Sequence, residues 1–487
     1  LDAANVLSAD PQVIEYVVNP AAVWSDGDPI ECDDFYFDWS VNRGVYKQLD
    51  DDGNPVLDEE SGAEINLFEV AGTGGYEDIE SLECSEDQKT VTATFSTIYA
   101  DWRAIFTSML PAHIVGQQAG VDDVIAAFQN EDLAALDAMA EFYNNGWSLN
   151  PGELKPDIMP SGGPLTIDNW EAGASLTLVP NEAYWATPAN GPVDYRNIDE
   201  EAQAQALPNG EINAKDPQPT PDLLAQLQGI DGVEIQSGNQ YVWEHFDFNF
   251  NTVFEQREVR EAFAKCLPRQ QIVANLIQPL SPDAIVLNNR TIQEFEAAYV
   301  DNSGGAFDEV DIEGAQALLE ASGESLPIDV RIGWFDNGGN QRRTDQIALT
   351  LESCNQVEGF NVIDAGSDTF FDVELSAGDW DIAMFAWAGS PLKSGQDALY
   401  ACEGGINFGG YCSEEVDAVA AAINAELDAD TQLSLSNELD VLLWNDLVTI
   451  PVFSFPGVAA WSSNAENIVY NPSNNALVWN AASWQLT

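Results

Sequence analysis

The residue types that most often carry catalysis are scarce in this chain. Its 487 residues include two histidines, His113 and His245, far apart in sequence. No Gly-x-Ser-x-Gly elbow and no His-Glu-x-x-His run occurs, so serine-triad and zinc-hydrolase chemistry lack their parts. Paired carboxylates can act as general acid and base, but among 82 Asp and Glu no pair stands apart. The six cysteines form no Cys-x-x-Cys and no Cys/His cluster, which argues against zinc and iron–sulfur sites. No metal and no cofactor is expected, and a secreted hydrolase is the least supported reading.

What remains is recognition. Residues 385–412, "FAWAGSPLKSGQDALYACEGGINFGGYC", combine Phe385, Trp387 and Tyr400 with many glycines and with Cys402 and Cys412, ten apart. Glycine lets a backbone approach a ligand closely, and Trp and Tyr offer flat apolar walls with polar tips. Core packing is the equal alternative for Tyr400.

An even cysteine count without metal spacing reads as disulfides, which places the protein outside the cytoplasm. Cys402 and Cys412 are close enough to close the loop. Val259, Phe263 and Cys266 fall at helical i, i+4, i+7 spacing, and so do Ile347, Leu351 and Cys354, which puts both cysteines on inward helix faces. Cys32 and Cys84 remain. Free buried thiols are the alternative, since six cysteines allow 15 connectivities.

Charge is the loudest feature of the composition. Sixteen Lys and Arg against 82 Asp and Glu give a net −66. Such a field repels phosphate backbones, so no nucleic-acid partner is expected. The acids are spread over the whole chain, which reads as a solvated coat more than as a trap for one cationic ligand. A 45% apolar fraction can fill the cores of two or three domains. No run approaches the roughly 18 uncharged apolar residues of a membrane helix. No basic, apolar leader stands at Leu1, so a processed or internal start is expected.

These residues must be positioned by a mixed framework. "QVIEYVVN" and "KTVTATF" alternate as strands do, and Asp33 and Asp34 open the helix "DDFYFDWSVN", where carboxylates suit the helix dipole. The acidic run 50–62 fits a calcium loop poorly, with Pro55 where glycine is required, and reads as a surface insertion. Residues 121–146 are helical. "GGPLTIDNW" and "ASLTLVPN" form a hairpin around Gly173, and "KDPQPTPDLL" (215–224) reads as a linker. Helices near 256–266, 312–321, 342–357, 413–427 and 431–446 then alternate with strands near 328–334, 360–364, 381–387 and 448–455, an α/β texture. The end, "VWNAASWQLT", returns to aromatic strand character.

At this point six blocks come into view in one order. "AVWSDGDPIECDDFYFDW", "YADWRAIFTSMLPAHI", "GGPLTIDNWEAGASLTLVPNEAYW", "QALPNGEIN", "FDFNFNTVFEQREVREAFAKCLPRQQIV" and the 385–412 loop resemble the extracellular solute-binding proteins of peptide ABC importers, family 5, over about residues 20–487. The resemblance implies an α/β, two-lobed periplasmic-binding-protein-like fold of class II type. Lobe I would be residues 1–240 plus 456–487, with a subdomain at about 50–150 and an N-terminal segment missing. Lobe II would be 241–455, with "YVWEHFDFNFN" and "IPVFSFPG" as crossovers and ligand held by hinge closure. It implies a monomeric receptor for a peptide or other small solute, at the cell surface or in the periplasm, lipid-anchored in its full-length form and serving an ABC permease. A receptor fold that has lost capture and acts as a surface or assembly protein is the alternative.

The same resemblance selects ligand-contacting residues. Trp387 faces ligand at the carboxyl end of a strand, where α/β sheets bind ligands, with Tyr400 and Asn407 in the loop that dipeptide-binding members also close by a disulfide. Arg342 and Arg343 open the helix whose first-turn arginine holds a ligand carboxylate in such members; salt bridging to the acidic coat is the equal alternative. Peptide-binding members carry an aspartate three residues after the tryptophan; here that position is Ser390, and the next acid downstream is Asp397. A serine cannot make the charge-assisted bond that selects a free amino terminus. Either Asp397 substitutes from a shifted loop, or the ligand is not a short free peptide.

Overall fold

The structure, a computed structural model, describes residues 1–487 apart from 51, 58–63, 71, 199 and 474–475, and describes the backbone alone at 200, 201 and 204. The chain forms two compact units, one of residues 1–203, 466–468 and 480–487, the other of residues 204–465 and 469–479.

In the first unit, β1 (Ala3–Ala9), β2 (Gln12–Val17), β3 (Ile79–Cys84) and β4 (Thr90–Phe95) form an antiparallel sheet in the order β1-β2-β4-β3. Strand β2 alternates buried and half-buried residues, as its apolar/polar alternation requires. Ile14, Tyr16, Val91 and Ala93 pack under Phe35 and Trp39 of helix Cys32–Asn42. A disulfide joins Cys32 to Cys84. Asp34 ties together motifs distant in sequence: its carboxylate accepts from Trp24 Nε1, Glu31 N and Ala112 N. His113 Nε2 lies 2.9 Å from Asp26 Oδ2, joining the "WSDG" and "PAHI" blocks. The predicted hairpin forms as β5 (Leu165–Glu171) and β6 (Ser175–Pro180), extended by β7 (Val193–Arg196). Part of the acidic run 50–62 lies outside the described residues; in the rest, Asp50 Oδ1 accepts from Asp52 N and Asn54 N.

The second unit is built on one six-stranded sheet. Strands β8 (Ala214–Lys215), β9 (Val233–Phe248), β10 (Ile328–Phe335), β11 (Phe360–Ser367), β12 (Ile382–Ala388) and β13 (Thr449–Ser462) stand in the order β11-β10-β12-β9-β13-β8. β10 runs parallel to β11 and β12, whereas β9 is antiparallel to both β12 and β13. The parallel pairs need helical crossovers, and helix Gln341–Cys354 supplies the one from β10 to β11. Val259, Phe263, Cys266 and Cys354 are fully buried, Ile347 nearly so, and the two sulfurs are joined.

Two expectations are corrected. The proline-rich stretch 215–224 is not a free linker: Lys215 pairs with Ala460 on β13, and a helix starts at Pro221, capped by Thr220 Oγ1. Proline fits there because a first-turn residue has no amide bond to lose. The aromatic C-terminus is mostly 3₁₀ turns over Leu477–Ser483, and only Gln485–Leu486 (β15) pairs, with Ala465–Glu466 (β14). Its indoles make local bonds instead, Trp479 Nε1 to Val469 O and Trp484 Nε1 to Asn480 Oδ1.

Candidate functional site

Near the end of strand β12, Trp387 pairs with Trp243 on β9, and Phe385 pairs with His245. Successive side chains of a strand leave opposite faces, so Trp243, His245 and Asp247 share the face that carries Phe385 and Trp387. The Trp387 indole is half-buried. It lies nearly parallel to His245 (centroids 5.8 Å apart) and to Phe408 (6.4 Å), with Phe385 edge-on at 5.0 Å.

The loop beyond is fastened at three places. Lys393, only 5% exposed, points its ammonium at both oxygens of Glu296 (3.0 and 2.9 Å) and at Thr291 O (3.1 Å). Cys402 and Cys412 are bridged. Asn407 clamps the far limb: its Nδ2 donates to Ala401 O and Tyr411 O, and its Oδ1 accepts from Tyr411 N. Glycine is required at 409, where a Cβ would sit 2.4 Å from Phe248 O.

Tyr400 lies at the end of helix Gln396–Tyr400 and is 4% exposed. Its ring lines a small hollow of about 20 Å³, together with Asp247, Phe250, Trp387, Asn407 and Phe408. Neither Ser390 nor Asp397 lines it. Ser390 is half-buried with its Oγ accepting from Leu392 N, and Asp397 sits in the first turn of the short helix. Asp247 is the acid that the motif comparison overlooked. Its Oδ1 lies 2.9 Å from His245 Nδ1, and its side chain keeps 20% exposure. The signal available was alternation in "WEHFDF", which puts His245 and Asp247 on one face of an otherwise aromatic strand.

Arg342 and Arg343 are engaged elsewhere. Glu244, fully buried, receives Arg343 Nε at 2.9 Å, Arg343 Nη2 at 3.3 Å and Arg342 Nη1 at 3.4 Å. Burial pushes the Glu244 carboxyl up, but Arg343 and then Arg342 outweigh it, and the group is held below the usual carboxylate range. The Arg342 guanidinium also covers the Phe455 ring at 4.3 Å, a cation–π contact. Glu244 and His245 are neighbours on β9, so the arginine cluster and Trp387 belong to opposite faces of that strand. The side chains expected around one ligand therefore fall into two groups, Trp387, Tyr400 and Asn407 in one, Arg342 and Arg343 in the other.

The model of the bacterial extracellular solute-binding proteins, family 5 (Middle), matches residues 3–407. The chain belongs to this family. Oligopeptide-binding protein OppA of Mycobacterium tuberculosis (strain ATCC 25618 / H37Rv) is 29% identical to it, over 94% of this chain and 71% of the relative. An uncharacterized lipoprotein of the same strain is 25% identical over 99% and 83%. Among solved structures, the periplasmic EDTA-binding protein EppA superposes with a TM-score of 0.82 over 100% of this chain and 87% of that one, at 22% identity. The fold is the α/β, two-lobed fold of periplasmic binding proteins, as the sequence motifs imply.

Proposed function

We propose that this chain is the solute-capturing receptor of an ABC importer. It binds an oligopeptide or related small solute against Trp387, holds it without making or breaking bonds, and delivers it to a membrane permease as a monomer. The observation that carries this reading is the placement of Trp387: a half-buried indole at the carboxyl end of a sheet strand, braced by His245 and Phe408 and followed by a loop anchored through Lys393. Family membership and the OppA relative support it. The family and its lipoprotein relatives support a place at the cell surface or in the periplasm, with a lipid anchor on the full-length form. Among the described residues no helix is long and apolar enough to cross a membrane.

A second reading, the receptor fold without capture, draws on the arginine pair already engaged by Glu244. Native mass spectrometry of the purified protein decides between them. Capture predicts a stoichiometric small solute that rebinds, by calorimetry, to stripped protein. Protein that never carries or rebinds a solute supports the second reading.

A further inference from the structure

Strands β9 and β13 part beside the Trp387 loop. Trp243 pairs with Ser454 and Asn239 with Pro456, so Gln240, Tyr241 and Val242 stand against the single residue Phe455. A bulge of this kind bends its strand and re-aims the residues in it. The backbone of Tyr241 finds its partners outside β13. Its N–H donates to Pro472 O at 2.9 Å, and its carbonyl oxygen accepts from Gly389 N at 3.0 Å. Gly389 lies two residues beyond Trp387, and a Cβ there would stand 2.8 Å from that same oxygen.

At the edge of this bulge Gly238 faces Gly457 across β9 and β13. Glycine inside a strand weakens it and often marks a close approach. Here the notch is filled by Tyr470, which is half-buried. A Cβ on Gly238 would stand 2.7 Å from Tyr470 Cε1, and one on Gly457 would overlap the hydroxyl oxygen. Tyr470 Oη donates to Asn239 O at 3.0 Å. Burial first, and then Asp216, push that hydroxyl up, opposed by a bond with the Gln240 side chain, so it stays protonated and a donor. Residues 470–472 thus grip β9 on both sides of Gln240, at Asn239 O and at Tyr241 N.

We propose that Tyr470 is a positioning residue for the Trp387 loop. Seated in the glycine notch, it fixes the β9 bulge, and the bulge fixes the start of the loop through the bond from Gly389 to Tyr241. The inference rests on the reading that the Trp387 loop meets solute. It assigns part of the control over that indole to a side chain outside the loop, in a segment far along the chain. The two facing glycines are the feature that lets the tyrosine ring lie directly on the β9 and β13 backbones.

The test is hydrogen exchange at the Gly389 amide of the full chain. It is read beside the fluorine resonance of Trp387 in protein labelled with 5-fluorotryptophan, assigned by its loss in Trp387→Phe. Tyr470→Ala should speed exchange at Gly389 about tenfold, the upper worth of one hydrogen bond, and shift the Trp387 resonance. The amides of β10 and β11 and the resonance of Trp334 should stay as in wild type. Gly389→Ala disturbs the same bond from its other end, so adding Tyr470→Ala to it should move the Trp387 resonance little further. Wild-type exchange at Gly389 in Tyr470→Ala, or a rise shared equally by β10 and β11, would mean that Tyr470 only packs, and would overturn the proposal. If Tyr470→Ala fails to fold, Tyr470→Phe carries the comparison: a severalfold rise confined to the loop supports the proposal, and none contradicts it. Unchanged exchange in a chain that captures solute removes this proposal alone. A chain that never carries or rebinds a solute removes the receptor reading and leaves the exchange result standing.

Discussion

Lys393 Nζ and Glu296 Oε2 lie 2.9 Å apart, joining the loop after Trp387 to a residue 97 positions earlier in the chain. The ammonium side chain is 6% exposed and the carboxylate 15%. Removing one partner of such a pair leaves the other buried and unpaired. Lys393→Met should therefore cost about 3 kcal/mol in urea unfolding and speed hydrogen exchange across residues 388–400. The double variant Lys393→Met/Glu296→Gln should recover part of the loss. Unchanged exchange in the loop would show that the bridge does not hold it.

Glu244 makes the opposite prediction for acid. Its folded carboxyl is held below the unfolded value by Arg343 and Arg342 against the upward push of burial, so its contribution is present above the unfolded value, near 4.3, and is lost as pH falls through the folded one. Arg343→Leu should destabilise by roughly 3 kcal/mol at neutral pH. The gap from wild type should narrow below about pH 4. A gap that stays constant into acid would mean that Glu244 does not depend on Arg343.

Asp38 titrates the other way. Burial raises it to about 6, opposed by bonds from Tyr76 and Asn42. A folded value above the unfolded one means that stability is fully present at low pH and falls as pH rises from about 4 through 6. Two units correspond to about 3 kcal/mol. Asp38→Asn should flatten the stability profile of the first unit across that window, measured as Tm against pH. A slope equal to wild type would contradict the assignment.

A net −66 should make the whole molecule sensitive to salt. Raising NaCl from about 0.05 M to about 1 M shortens the screening length to about 3 Å, relieving self-repulsion, so Tm should rise by several degrees. A flat response would mean that the acids are already compensated by their neighbours.

The readable parts of this protein were local. Alternation placed β2 and β4, and helical spacing put Cys266 and Cys354 on buried faces. Strand-and-loop punctuation put Trp387 at the end of β12. What escaped depends on which strands lie side by side. Asp247 becomes a neighbour of Trp387 only because β9 pairs with β12 in one register, and nothing in "WEHFDF" names that partner. Lys393 is one of six lysines in a strongly acidic chain, but no motif marked it or its partner Glu296. Arg342 and Arg343 were found by motif, and their engagement with Glu244 follows from a strand about 100 residues away. The C-terminal aromatic run misled because its backbone turns in 3₁₀ geometry over Leu477–Ser483, with the indoles bonded to Val469 O and Asn480 Oδ1.

The central claim is that a solute is recognised against the indole at position 387. Calorimetry of the solute recovered from the native protein, titrated into stripped wild type and Trp387→Ala, tests it directly. The account predicts at least a tenfold loss of affinity in Trp387→Ala with the fold intact, from the stacking and burial that a large aromatic supplies. Wild-type affinity in that variant would contradict it.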